Sequence, residues 1–197
     1  MNLVLTSAPA VTPVSVTEAK AHSRIDTSDD DTLVATLVEA ATARAEAHTG
    51  LAFITQTLAL HLDEWPCDGL IVVPRAPLVS VSSIVYRATD GTLTTLDSAA
   101  YQVVTASKPG RIAPAYGYQW PTLRGTLDDV VVTFVAGYGA AGSSVPADIR
   151  AAILLMFGEL YDNREGFVTG TIATPLPMAA ENLLGRHRLS TVLVPVA

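Results

Sequence analysis

The architecture of this chain turns on residues 130–166, which have the sequence VVVTFVAGYGAAGSSVPADIRAAILLMFGELYDNREG. An apolar, β-branched run predicts a strand, a glycine-rich turn follows, and Pro146 then opens a helix. The helix is apolar on most of its circumference and closes with charged residues before Gly166. A helix this apolar requires cover on several sides, so the stretch predicts assembly with other subunits rather than chemistry.

The residues before this stretch begin with helices. Residues 1–15 hold two prolines without helical periodicity, which predicts an extended arm. A short helix is predicted over residues 18–24 with Thr17 as its N-cap. The acidic residues 29–31 open a longer helix, which Gly50 ends as a C′ glycine. A last short helix is predicted over residues 178–186.

The middle of the chain changes its period, and Val, Thr, Ile and Tyr alternate with turn residues every eight to twelve positions. That spacing predicts short strands. We expect them at residues 56–62, 70–73, 81–87, 92–96, 101–104 and 130–136. Asp90-Gly91 predicts a hairpin with a type I′ turn.

Together these elements predict an α+β fold, a helical bundle body with an inserted small antiparallel β-sandwich or barrel. We expect residues 1–54 to supply the arm and first helices of the helical body, and residues 55–137 to form the inserted β domain. Residues 138–188 complete the helical body, and residues 189–197 form an extended C-terminal tail.

Composition limits the functions that are open to the chain. Its 197 residues carry a net charge of −7, and 49% of them are hydrophobic while only 16% are charged. Gripping nucleic acid requires clustered Lys and Arg, so the acidic balance argues against it. Apolar runs are too short for a membrane span, and the N-terminus lacks the basic segment of a signal peptide. The single cysteine, Cys67, excludes an intrachain disulfide.

Several features imitate a catalytic or ligand site. Residues 137–142 spell G-x-G-x-x-G, which would suit a dinucleotide-dependent oxidoreductase, but the helix starts only near Pro146 instead of inside the motif. His22, His48, His61 and His187 fall in separate segments without metal-ligand spacing. Neither Cys67 nor the acidic residues 29–31 have the partners that catalysis or cation binding requires. We therefore expect no catalytic residue, cofactor or metal.

A ligand- or carbohydrate-binding β module with helical flanks is the alternative from another class of protein. Trp65, Tyr116, Tyr118 and Trp120 would supply its stacking surface. Aromatic side chains sharing one open face would favour that function, and scattered or buried ones would not.

The late helix and the tail are the two candidate contact regions. Tyr161, Arg164 and Glu165 suit either a helix end, with Arg164 against the dipole, or the rim of an interface. The tail is apolar and β-branched rather than polar, which argues against disorder. It suits packing on its own domain or docking on another chain, and we expect docking.

The order of these segments resembles the head–tail connector, or adaptor, proteins of tailed bacteriophages and gene transfer agents, in their branch with a β insertion. The resemblance covers most of the chain. It rests on VTEAK at residues 16–20, HTG at 48–50, FVAGYG at 134–139, VPADIRAAI running to YDNRE at 145–165, and NLL at 182–184.

The resemblance implies a non-enzymatic head-completion protein that forms a twelve-subunit ring beneath the portal and joins the head to stopper or tail-completion proteins. DNA would pass through the lumen without specific binding, and the isolated chain could stay monomeric. It implies a place at the head–tail junction of a virion or phage-like particle, assembled in the host bacterial cytoplasm. The implied ring-interface residues are Arg150, Ile153, Phe157, Tyr161, Arg164 and Glu165. The implied portal-docking residues of the tail are Leu189, Val192, Leu193, Val194 and Val196.

Overall fold

The computed structural model describes residues 1–163 and 178–189. The chain divides into two compact units. The β unit comprises Met1–Pro9 and Thr55–Tyr138, and the helical unit comprises Ala10–Ile54 and Gly139–Ala197. The elements in chain order are β1 (Asn2–Ser7), α1 (Val16–Ser23), α2 (Asp31–Thr49), β2 (Gln56–Leu62), β3 (Ile71–Val72), β4 (Leu78–Arg87), β5 (Leu93–Thr95), β6 (Tyr101–Val104), β7 (Arg111–Pro114), β8 (Val130–Ala136), α3 (Ala147–Asp162) and α4 (Met178–Gly185).

The β unit is built on a five-stranded antiparallel sheet in the order β1-β2-β8-β4-β5. Strand β8 pairs along its whole length with β2, from Val130 opposite Leu62 to Ala136 opposite Gln56. Alternate residues of β8 are buried, because successive side chains of a strand point to opposite faces. Phe134 is among those fully buried side chains.

A second sheet, in the order β3-β7-β6, contributes the buried Ile71 and Ile112 to the core of the β unit. With four α-helices and two antiparallel sheets in residues 1–163 and 178–189, the predicted α+β class is confirmed. The predicted strands all occur, and β2, β6 and β8 have the predicted bounds.

The sequence did not predict two strands, β1 and β7. Residues 1–15 were expected to be an arm of the helical body, whereas Asn2–Ser7 pair with β2 as an edge strand of the β unit. Strand β7 is short and lies between prolines, which hide its strand signal. The pairing of β1 with β2 is non-local, and a local pattern cannot show it.

The hairpin at Asp90-Gly91 exists, but its turn is not type I′. Gly91 has a φ of 93°, while Asp90 is not among the residues with positive φ. The turn spans residues 88–91, with the Gly91 N–H donating to the Ala88 carbonyl at 2.8 Å. A type I′ turn requires positive φ at both central residues, so this part of the prediction is wrong.

The helical unit begins with the capped helix α1. Ser15 caps it, two residues before the predicted cap Thr17, and Glu18 completes a capping box. Helix α2 ends at Gly50, whose φ of 74° is the left-handed conformation expected of a C-terminal glycine. Helices α1, α2 and α4 all contact α3, which is therefore the centre of the unit.

Candidate functional site

One face of α3 is buried in the core of its own unit. Ile153 and Phe157, two predicted ring-interface residues, are both 0% exposed. They share this face with Ile149, Ala152 and Met156. The assignment of Ile153 and Phe157 to a subunit interface therefore needs correction, because the neighbouring helices already cover these side chains. The periodicity identified the buried stripe correctly but could not say which chain covers it.

Two polar residues of α3 also have partners within the helical unit. The Arg150 side chain donates to the Pro13 carbonyl at 3.2 Å and forms an ion pair with Glu18. The Tyr161 hydroxyl donates to Asp30 at 2.8 Å. Arg150 and Tyr161 thus fasten α3 to the residues that precede α1 and α2. Arg164 and Glu165 lie outside the described residues.

The tail is described only at its first residue. The Leu189 N–H donates to the Thr49 carbonyl at 2.9 Å, and the Leu189 side chain lies against Gly50. Val192, Leu193, Val194 and Val196 lie outside the described residues. The structure therefore fixes the first residue of the tail against the end of α2.

Two of the glycines in residues 137–142 serve close packing. A side chain at Gly142 would meet the Pro13 carbonyl oxygen at 2.6 Å, and one at Gly139 would meet the Ser144 hydroxyl at 2.5 Å. A 3₁₀ turn over Gly142–Ser144 follows, and α3 begins only at Ala147. The first amides of α3 therefore do not belong to the motif, which a dinucleotide site would require.

The candidate stacking residues are divided between two environments. The rings of Trp65 and Trp120 stack on each other with centroids 4.5 Å apart and planes 8° apart. Both indole N–H groups donate to backbone carbonyls, those of Pro121 at 2.8 Å and Gly69 at 3.0 Å. Tyr116 and Tyr118 are exposed instead. The indole pair is therefore a structural brace within the β unit, and the aromatic residues do not form one open platform.

A buried carboxylate that the sequence analysis did not single out organises the loop before β8. Asp129 is 1% exposed and accepts from the Gly125 and Thr126 N–H groups, each at 2.8 Å. The Thr126 hydroxyl donates to it at 2.5 Å, and Arg87 Nε lies 3.3 Å away. The Thr126 hydrogen bond, followed by the two amides and the Arg87 charge, lowers the pKa of Asp129. The short spacing Gly-Thr-x-x-Asp was the available signal.

Metal binding and membrane insertion find no support in the part of the chain that is described. In residues 1–163 and 178–189, His, Cys, Asp and Glu side chains do not gather into a group that could hold a metal ion. Within the same residues, each helix is either too short or too polar to cross a membrane.

Exposed apolar side chains are the remaining candidate for function. Those of Tyr116, Tyr118 and Leu127 sit on the loop between β7 and β8, and others occur on β1 and β4. Large exposed apolar side chains that share one region mark interaction surfaces more often than isolated ones do.

Comparison with known proteins gives one consistent result. No protein-family model matches the sequence, and no curated protein matches it. Solved structures do match, each at 26% identity over 98% of this chain and 98% of the other. The chain is similar to one in the neck of an empty gene transfer agent (GTA) particle computed with C6 symmetry, with a TM-score of 0.81. It is also similar to a chain in the virion of a native GTA particle, at 0.79, and to one in the neck of a native GTA particle computed with C12 symmetry, at 0.77.

Proposed function

We propose that this chain is a head–tail connector, or adaptor, subunit that forms a ring beneath the portal and joins a DNA-filled head to stopper or tail-completion proteins. The observation that carries the proposal is the similarity to GTA neck chains along nearly the whole length of both chains. That similarity supports a structural component of a GTA-like particle, and it favours a structural role over an enzymatic one. The proposed location is the head–tail junction, after assembly in the host cytoplasm.

Ring formation is supported by the symmetry of the similar neck assemblies, which were computed with C6 and C12 symmetry. A cyclic ring larger than a dimer joins two different surfaces of neighbouring copies. On α3, Leu154 and Leu155 lie on the side opposite the buried face and keep part of their surface exposed. We assign the ring contact of α3 to these two leucines, in place of Ile153 and Phe157.

Passage of DNA through the ring is compatible with the charge of the chain. A net charge of −7 repels phosphate, so DNA would slide past the subunits without being held. The proposed portal contact is the tail after Leu189, whose apolar composition suits docking on another protein.

Electron microscopy of the purified full chain mixed with the portal protein of its particle tests the connector role. We expect ring density on the tail-facing end of the portal. A portal that stays bare at saturating concentration of the chain would overturn the proposal.

A truncation after Leu189 tests the tail separately. This end point keeps the hydrogen bond from Leu189 to Thr49, so the helical unit should retain its stability. We expect the truncated chain to lose portal attachment, while the full-length control Met178→Ser, altered at an exposed side chain, retains it. Attachment of the truncated chain would reject the tail assignment and leave the connector role standing.

The alternative of a ligand-binding β module is not favoured by the structure. Trp65 and Trp120 are the two largest of the four candidate stacking residues. Their rings stack on each other and their indole N–H groups donate to backbone carbonyls, so they are not free to stack on a ligand.

A further inference from the structure

One end of the five-stranded sheet carries a long, irregular loop. Leu62 of β2 and Tyr86 of β4 both lie beside Val130, the first residue of β8, at this end. Residues 115–129 connect β7 to β8 across it, and we call them the β7–β8 loop. Trp65, stacked on Trp120 of this loop, also lies against Tyr86, so the loop follows the end of the sheet.

Three large apolar side chains of the β7–β8 loop point into solvent. Tyr116 is fully exposed, Leu127 is 82% exposed and Tyr118 is 54% exposed. Interface centres are enriched in Tyr, and an exposed leucine gains free energy only when a partner covers it. Such residues on a surface loop therefore require an explanation beyond the stability of the β unit.

The loop that carries them is fixed at several points. The Asp129 carboxylate holds its C-terminal turn through Gly125 and Thr126. Leu123 forms a β-bridge with Ala88.

Neighbouring segments hold the same loop from outside. The Asp128 N–H donates to Asp63 at 2.9 Å, and the Asp128 carboxylate lies 2.8 Å from His61 Nδ1. Trp120 donates to the Gly69 carbonyl. Fixing a loop residue costs conformational entropy, and a loop that is already ordered does not incur this cost again on binding. These contacts order the part of the loop that carries Leu127, as in the contact residues of binding loops. The backbone beside the tyrosines is held separately, by the Ala115 N–H donating to the Ala100 carbonyl at 3.0 Å and the Tyr118 N–H donating to the Ala115 carbonyl at 2.9 Å.

Charge around the loop restricts the partner. Exposed acidic side chains lie on the loop or on the segments that contact it, with Asp63 bonded to the Asp128 N–H and Asp90 beside the exposed Arg124. The acidic residues are Asp63, Glu64, Asp68, Asp90 and Asp128. An acidic rim repels nucleic acid, and a second copy of a chain with net charge −7 is a poor match for it. A protein surface with Lys and Arg around an apolar pocket matches both the acidic side chains and the exposed apolar side chains of the loop.

We propose that the β7–β8 loop docks onto a different protein of the same particle, with Tyr116 and Leu127 entering an apolar pocket that Lys and Arg side chains surround. The proposal rests on the proposed function for the setting, because it places the partner in the particle. It assigns the β unit a binding surface separate from the ring contact of α3 and from the tail.

Photo-cross-linking in assembled particles tests this proposal. Tyr116 is replaced by p-benzoylphenylalanine in the full chain, and a second particle preparation carries the same group at Leu155. We expect the label at position 116 to link to another protein of the particle, at a peptide where basic residues flank apolar ones. Links from position 116 only to copies of this chain, or no link while position 155 links to a neighbouring copy, would overturn the proposal.

A co-purification measurement covers the case in which the labelled chain does not assemble. In the double variant Tyr116→Ser/Leu127→Ser, we expect about tenfold less of one other particle protein to co-purify per particle-bound chain than with the wild type, as loss of two contact residues implies. Glu64→Lys should slow association with the basic partner. The matched control Val79→Ser, an exposed apolar residue at the other end of β4, should leave the partner unchanged.

The two proposals fail in different ways. Unchanged partner recovery in the double variant would reject the loop surface while the chain remains in the neck. Absence of the wild-type chain from the neck would reject the connector role itself.

Discussion

His187 Nε2 lies 2.6 Å from Oδ2 of Asp148, and this contact joins the residues after α4 to the first turn of α3. The Ile149 N–H donates to the other oxygen of the same carboxylate at 3.0 Å. Asp148 also complements the positive end of the α3 dipole. The hydrogen bond from His187, with the electrostatic attraction of the same ring and the hydrogen bond from the Ile149 amide, lowers the pKa of Asp148.

The lowered pKa of Asp148 predicts a loss of stability in acid. A carboxyl whose pKa is lower in the folded state stabilises the fold above its unfolded pKa, and this stabilisation disappears as the pH falls through the folded pKa. We expect the free energy of unfolding to decrease as the pH drops below about 4. Asp148→Asn should weaken this dependence of stability on pH. At pH 6 the variant should lose about 1 kcal/mol. Urea unfolding at pH values from about 2.5 to about 6, followed by circular dichroism, measures both effects across the range in which carboxyl groups titrate.

Asp29→Asn provides the control, because Asp29 is exposed and precedes α2 in the same unit. An acid dependence that is identical in Asp148→Asn and the wild type would contradict the role of the His187 contact.

The burial of Phe157 predicts a large effect in the isolated chain. Phe157→Ala removes a side chain that is 0% exposed, and such a cavity costs about 3–5 kcal/mol. Denaturant unfolding of the monomer measures this loss. Met178→Ala, at an exposed side chain, should change the stability by no more than about 0.5 kcal/mol. If Phe157 served a subunit interface instead, the monomer would tolerate both changes equally.

The Asp129 carboxylate predicts local order in the β7–β8 loop. Asp129→Ala removes the acceptor of the Gly125 and Thr126 amides, so we expect both amides to exchange hydrogen at least about tenfold faster. Amides of Phe134 and Val135, within β8, should exchange as before if only the loop opens. Thr126→Ser keeps the hydroxyl donor and should preserve protection. Unchanged exchange in Asp129→Ala would contradict this role of the carboxylate.

The capping box of α1 predicts a moderate effect on stability. Ser15 Oγ accepts from the Glu18 N–H at 3.2 Å, and Glu18 accepts from the Ser15 N–H at 2.9 Å. Ser15→Ala should cost about 1 kcal/mol, as the loss of a serine N-cap does. Thermal unfolding measures the cost, with Ser28→Ala as the control at an exposed serine ahead of α2. Equal melting temperatures for the two variants would speak against the cap.

Local signals gave most of the elements of this fold. The alternation of residues 130–136 specified β8, and Gly50 specified the end of α2, because pleat and helix-end geometry act on neighbouring residues. The order of segments also pointed to connector proteins, and the neck chains of GTA particles have a similar fold. The same local signals missed β1, whose pairing with β2 spans more than fifty residues of sequence.

The sequence showed that α3 has a broad apolar face, since periodicity needs no knowledge of neighbours. Which chain covers that face is a property of three-dimensional packing, and within the helical unit Ile153 and Phe157 are already covered. Folding likewise brings Arg87 and Thr126 to the Asp129 carboxylate and exposes Leu127 on the loop that this carboxylate fixes. A local sequence pattern does not specify which distant residues will meet. Those contacts form only when the tertiary structure brings the segments together.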